Sequence, residues 1–159
     1  MKRDLTERLE AAFARSKPIT GVANVVTGWL NDAFQFTALR PLKLLLNGSW
    51  FGHPLHPVLT DIPIGAWTCT ILLDLVALLT GARLGVAAGL ATGLGLAGAV
   101  ATAATGLMDW MDTGDPEKSM GAVHAALNGT ATILFAVSFA MRWHAHWHML
   151  TSIHSLSRS

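Results

Sequence analysis

Three long apolar runs dominate the chain: Ile62 to Thr80, Leu84 to Met108 and Gly121 to Met141. The first is about 19 residues long, close to the ~20 that a helix needs to cross the hydrocarbon of a bilayer. The second contains no charged residue at all. Gly81-Ala82-Arg83 separates the first two runs, and the polar stretch Asp109 to Met120 separates the second from the third. Runs of this length joined by short turns leave too little polar surface to clothe a water-soluble bundle. The pattern predicts an all-α integral membrane helical bundle with three transmembrane helices.

Polar and apolar positions alternate differently before residue 50. Leu5, Leu9, Ala12 and Phe13 share one helical face, and Lys17-Pro18 is expected to end that helix. Over residues 22–38 the stripe Val22, Val25, Val26, Trp29, Leu30, Ala33 and Phe34 repeats the pattern. Such helices are too polar to span; they fit the membrane interface, a protein surface, or simple solvation. The expected organisation is amphipathic interfacial helices over 1–50, a transmembrane bundle over 51–141, and a polar tail rich in His and Trp over 142–159. Arg142-Trp-His-Ala-His-Trp-His148 in that tail reads as an interfacial belt.

Composition agrees with the membrane reading. Hydrophobic residues make up 52% of the chain and charged residues 13%, against about 25% charged in soluble domains. The net charge of +1 gives no basic balance that would point to nucleic acid. A single cysteine, Cys69, rules out an internal disulfide framework. The first long apolar run begins too late for a signal peptide. Placing the N-terminus inside puts Arg40, Lys43 and Lys118 on the cytoplasmic side and Arg83 and Arg142 outside. Gly85, Gly89, Gly93, Ala97, Ala101, Thr105 and Asp109 recur at every fourth position. This stripe is expected to be the packing face of a central second helix.

Chemistry concentrates where the runs begin and end. Phe51-Gly-His-Pro-Leu-His-Pro57 precedes the first run. Each histidine stands before a proline, which favours extended geometry at both and a helix start at Thr60 or Asp61. With three spans, the start of the first, the end of the second and the start of the third lie at one membrane face. That face collects His53, His56, Asp61, Asp109, Trp110, Asp112 and His124, and ionisable residues at membrane depth mark functional sites by default. Asn128 and Thr132 extend a polar stripe from His124. Three readings stay open: a b-type haem held by His124 with His53 or His56; a metal ion held by His53, His56 and His124 with Asp61 or Asp109 nearby; or a structural cluster that pairs helix ends. Asp74, deeper in the first run, admits a proton-relay role. No nucleophile–base pair, phosphate loop or hydrolase motif is present, so no catalytic residues are expected.

Gly52-His-Pro-Leu-His-Pro-Val-Leu-Thr-Asp-Ile-Pro-Ile-Gly-Ala-Trp67, Thr105-Gly-Leu-Met-Asp-Trp110 and Val123-His-Ala-Ala-Leu-Asn128 resemble three blocks of a family of predicted membrane proteins called domain of unknown function 2231. The likeness covers roughly residues 44 to 141. The amphipathic N-terminus resembles the subgroup fused to, or encoded near, Rieske-type iron–sulfur domains. That resemblance implies a bacterial cytoplasmic membrane protein in redox company. It also implies a fourth hydrophobic segment with a further histidine, which does not occur before Ser159. His144, His146, His148, a partner or a second copy is then expected to complete the site. The functional expectation is a haem- or metal-binding electron-transfer subunit beside a Rieske-type protein, with a non-catalytic anchor or assembly protein and a small proton or ion pathway as alternatives. The expected partners are the lipid bilayer, that iron–sulfur protein and a possible homo-oligomer.

Overall fold

The computed structural model describes residues 5–34, 38–114 and 117–156. The described residues form six α-helices and no strand: α1 (Leu5–Ala14), α2 (Lys17–Phe34), α3 (Arg40–Leu46), α4 (Leu55–Thr80), α5 (Gly85–Met111) and α6 (Glu117–Leu156). The fold class is all-α, as the apolar pattern predicts. Three stretches are long and apolar enough to cross a membrane: Leu55–Thr80, Gly85–Met111 and Glu117–Ala145.

Helix ends depart from the sequence expectation for identifiable reasons. Pro18 opens α2 instead of closing α1, because a proline in the first turn lacks only a donor that would be unpaired anyway. The same logic moves the start of α4 forward to Leu55, with Pro57 in its first turn. His56 is therefore helical, not extended, and Pro63 falls inside the helix. α4 closes on Gly81, whose φ of +73° is the left-handed cap that glycine adopts without strain. Past Met141, α6 meets neither glycine nor proline and continues to Leu156.

The chain divides into two compact units, Met1–Val58 with Ala101–Thr130, and Leu59–Val100 with Ala131–Ser159. In the first, Leu30, Met108 and Met111 form a small apolar core, flanked by Val26, Phe34, Leu46 and Leu107. One edge of the α2 stripe thus packs on the end of α5. Val22, Val25 and Trp29, on the other edge, are 61%, 72% and 72% exposed.

In the second unit, glycines let large side chains reach the α5 backbone. A Cβ on Gly95 would meet Trp67 at 2.3 Å, one on Gly98 would meet Ile62 at 2.6 Å, and one on Gly93 would meet Phe139 at 3.1 Å. Trp67 of α4 also stacks on Phe135 of α6, with ring centroids 4.4 Å apart and planes 4° from parallel. Here α5 contacts both α4 and α6, but α4 and α6 also touch each other through Trp67 and Phe135, so the contacts do not set α5 apart as a middle helix. Its buried register differs from the expected one. Ala88, Thr92, Gly95, Gly98, Thr102, Thr105 and Met108 are buried, whereas Gly85, Ala97 and Ala101 are exposed. A strict four-residue step rotates about 40° around a helix each time, so the small-residue stripe winds off the contact face.

Candidate functional site

The site lies in the first unit, where the start of α4, the end of α5 and the start of α6 supply the side chains. Local sequence builds the approach to α4. Asn47 Oδ1 accepts hydrogen bonds from the Ser49 N–H at 3.2 Å and the Ser49 hydroxyl at 2.7 Å, closing an Asx turn. Gly48 has φ +78°, and a Cβ there would lie 2.2 Å from the His53 carbonyl oxygen. Glycine is required at that position on both counts. The turn leaves His53 exposed and delivers His56, half-buried, at the first turn of α4.

His56 is held by α5. Its Nδ1 lies 2.9 Å from the Thr102 carbonyl oxygen. A carbonyl only accepts, so Nδ1 carries the proton, and in the neutral ring the lone pair sits on Nε2. Gly106, one turn further along α5, makes room for the ring: a Cβ there would stand 2.6 Å from Nδ1 and 2.7 Å from Cε1. The His124 ring of α6 meets His56 edge-on, with centroids 5.9 Å apart and planes at 77°. Asn128 sets His124 in turn. Its Nδ2 donates to the His124 carbonyl at 2.9 Å, a bond that only the amide nitrogen makes, and lies 3.2 Å from His124 Nε2. Nε2 accepts there, which places the proton of the neutral ring on Nδ1.

Charges gather around this pair, and Asp109 stands close enough to His56 for their charges to interact. Lys43 Nζ of α3 lies 2.6 Å from Asp112 Oδ1. Trp110 packs over Gly121, where a Cβ would meet its indole at 2.4 Å, and its Nε1 donates to the Lys118 carbonyl at 2.9 Å. Of the expected ligand set, His56 and His124 come together, while His53 and Asp61 are exposed and Asp109 is half-buried. Among the described residues no three His, Cys, Asp or Glu side chains gather closely enough to hold a metal ion. His146 and His148, named as possible completing ligands, have side chains outside the described residues.

The second unit contains an ion pair. Arg142 Nη1 donates to Asp74 Oδ1 at 3.0 Å, and Nη2 donates to Oδ2 in a parallel, shorter bond. This fork is the strong form of an arginine–carboxylate pair. Asp74 is thereby engaged with a cation, not alone at membrane depth.

Sequence reasoning missed Thr102, Gly106 and Arg142 as partners. Gly106 had a signal, since it sits inside the Thr105–Trp110 block. Thr102 acts through its carbonyl, which leaves no trace in residue type.

No curated protein and no solved structure gives a match. The family profile described as "Predicted membrane protein (DUF2231)" matches residues 52–156. That stretch covers α4, α5, α6 and both histidines of the pair. With three apolar helices of spanning length and a match over most of its length, the chain is an integral membrane protein that belongs to the DUF2231 family.

Proposed function

We propose that the protein is a membrane-embedded redox subunit in which His56 and His124 hold a b-type haem and pass electrons to or from a Rieske-type iron–sulfur protein. The observation that carries this reading is the His56 bond to the Thr102 carbonyl. Ligating histidines almost always donate their second ring N–H to a carbonyl or carboxylate, which fixes the tautomer and makes the ligating nitrogen more basic. His56 is prepared in this way. His124 supplies a second imidazole from another helix, and Asn128 keeps its bond to the His124 carbonyl if Nε2 is given up to iron. Two neutral imidazoles from separate helices suit the donor chemistry of a b-type haem. When bound, the haem would supply one-electron transfer. The rest falls to the protein: Thr102 and Asn128 orient the rings, and Gly106 leaves space for one of them. Resemblance to the Rieske-associated subgroup supports the choice of partner.

The exposed ridge Val22, Val25 and Trp29, with exposed Leu44, Leu45, Trp50 and Phe51, supports an interfacial position for α2 and α3. The count of Arg40, Lys43 and Lys118 against Arg83 and Arg142 supports an N-terminus inside a bacterial cytoplasmic membrane.

A visible spectrum of the detergent-purified protein after haem-replete expression tests the reading. A Soret band is expected, lost in His56→Ala and in His124→Ala. Absence of the band in the unaltered protein sinks it. A second reading, a non-catalytic anchor, is favoured by the packing of Leu30 on Met108 and Met111 and by the Lys43–Asp112 pair, which tie the N-terminal helices to α5. On that reading the histidine variants lose thermal stability, and no cofactor spectrum is ever present.

A further inference from the structure

Charge separates α3 from the two helices before it. α1 carries Glu7 beside Arg8, and α2 carries Lys17 and Asp32, whereas α3 carries Arg40 and Lys43 and no Asp or Glu stands from Ala33 to Thr60. The helix also has two unlike sides. Lys43 and Leu46 are half-buried: Lys43 Nζ lies 2.6 Å from Asp112 Oδ1, and Leu46 packs on the core of Leu30, Met108 and Met111. Asp112 directly follows the last residue of α5, and Leu55 opens α4 a short turn after Leu46; both helices are of spanning length. α3 is therefore held at the level where α5 ends and α4 begins, which is the bilayer interface. Arg40, Pro41, Leu44 and Leu45 share its other side by helical spacing, and all four are exposed. Beyond α3 the Asn47–Ser49 turn folds the chain back, and Trp50 Nε1 donates to the Leu45 carbonyl at 3.1 Å. With its N–H engaged, the indole presents an apolar wall. Pro41, Leu44, Leu45, Ser49 and Trp50 line a shallow, open hollow of about 460 Å³.

We propose that this hollow holds one anionic phospholipid, with its phosphate on Arg40 and the upper part of an acyl chain against Leu44, Leu45 and Trp50. Continuity selects lipid as the occupant: the bilayer that α4 and α5 cross extends past α3, so acyl chains reach the hollow without a partner being recruited. Charge selects the headgroup. Lys43 is engaged by Asp112, but Arg40, beside Pro41 and one turn before Leu44, is exposed and forms no ion pair among the described residues. A guanidinium pairs with phosphate oxygens through two parallel bonds. In a zwitterionic headgroup the phosphate has its own ammonium group; in an anionic one its charge is left for Arg40, and no acid on α3 repels it. The proposal rests on the interfacial position of α3 given above and is independent of any haem at His56 and His124.

Native mass spectrometry of the full chain in detergent tests this, with added phosphatidylglycerol and phosphatidylcholine of the same acyl chains. Phosphatidylglycerol is expected to give a one-lipid adduct several-fold more abundant than that of phosphatidylcholine. Arg40→Gln is expected to lower that adduct about five-fold, the factor that one cation commands near an anionic surface. Arg40→Lys is expected to keep most of it, and Arg83→Gln, just past the far end of α4, to leave it unchanged. A spin label on Leu44→Cys in liposomes, in a Cys69→Ser background because Cys69 is exposed, separates the lipid site from the interfacial position. The label is expected to meet oxygen more readily than a water-soluble nickel chelate. If it does, but the two phospholipids bind alike or Arg83→Gln acts as strongly as Arg40→Gln, the interfacial position stands and the lipid site falls. A label open to the nickel chelate overturns both. A label shut off from both reagents means that a protein covers α3, and overturns the lipid site.

Discussion

A methyl group on Gly106 of α5 would collide with His56: a Cβ there would lie 2.6 Å from Nδ1. Gly106→Ala therefore turns the ring and breaks its bond to the Thr102 carbonyl. The expected loss is about 1–3 kcal/mol, as for overpacking elsewhere. Gly89→Ala, where nothing lies within 4 Å, is expected to be neutral or to stabilise by up to ~1 kcal/mol through helix propensity. Thermal unfolding in detergent measures both. Equal effects at the two positions would mean that the His56 contact does not matter.

Asp74 and Arg142 predict a coupled pair. Arg142→Gln or Asp74→Asn alone loses the forked, charge-assisted bonds of a pair whose side chains are 26% and 44% exposed, at an expected cost of about 1–2 kcal/mol. The double variant Asp74→Leu with Arg142→Leu is expected to recover most of that loss. Strictly additive single effects in unfolding experiments would show that the two groups act independently.

Trp67 offers a contrast between space and polarity. Its indole N–H is buried without a partner, so Trp67→Phe gives up packing but no hydrogen bond, and is expected to cost less than about 1.5 kcal/mol. Gly95→Ala forces a methyl to within 2.3 Å of the same ring and is expected to cost more, about 1–3 kcal/mol. The ranking of the two midpoints in a denaturation series decides it.

The Lys43–Asp112 pair lies toward solvent, with side chains 22% and 55% exposed. Lys43→Met is expected to change stability by no more than about 1 kcal/mol. The difference should vanish near 1 M salt, where the Debye length falls to ~3 Å. A large effect that persists in salt would instead mean that Lys43 anchors α3 through its alkyl stem.

Much of this architecture is legible in residue order, because a bilayer imposes one strong rule on every spanning segment. The three apolar runs, their alternating direction and the gathering of His56 and His124 follow from it. What is not legible depends on rotation and on backbone atoms. The four-residue spacing from Gly85 to Asp109 is a real regularity, but helix geometry carries it off the contact face, and Ala88, Thr92 and Gly95 take over. The prolines after His53 and His56 gave one rule for two different outcomes: His53 stays outside the helix and His56 enters it. The Asp74–Arg142 pair joins residues far apart in sequence, and neither announces its partner.

The largest fully buried side chains are threonines and a serine, not leucines. Thr27 donates to the Ala23 carbonyl at 2.9 Å, Thr70 to Ala66 at 3.0 Å and Thr92 to Ala88 at 2.7 Å, while Thr105 bonds the Ala101 and Thr102 carbonyls. Each hydroxyl is satisfied by its own helix, and among these four only the 3.3 Å approach of Thr70 to Thr92 passes between helices. These four hydroxyls are thus already quenched when a helix stands alone, whereas the buried Thr102 and Ser119 hydroxyls and the Trp67 indole N–H have no partner among the described residues. During synthesis Thr70, Thr92 and Thr105 therefore bring no unpaired hydroxyl into lipid with α4 and α5. Assembly then becomes a later, separate event governed by shape: whether Trp67, Ile62 and Phe139 find the glycines that were left open for them.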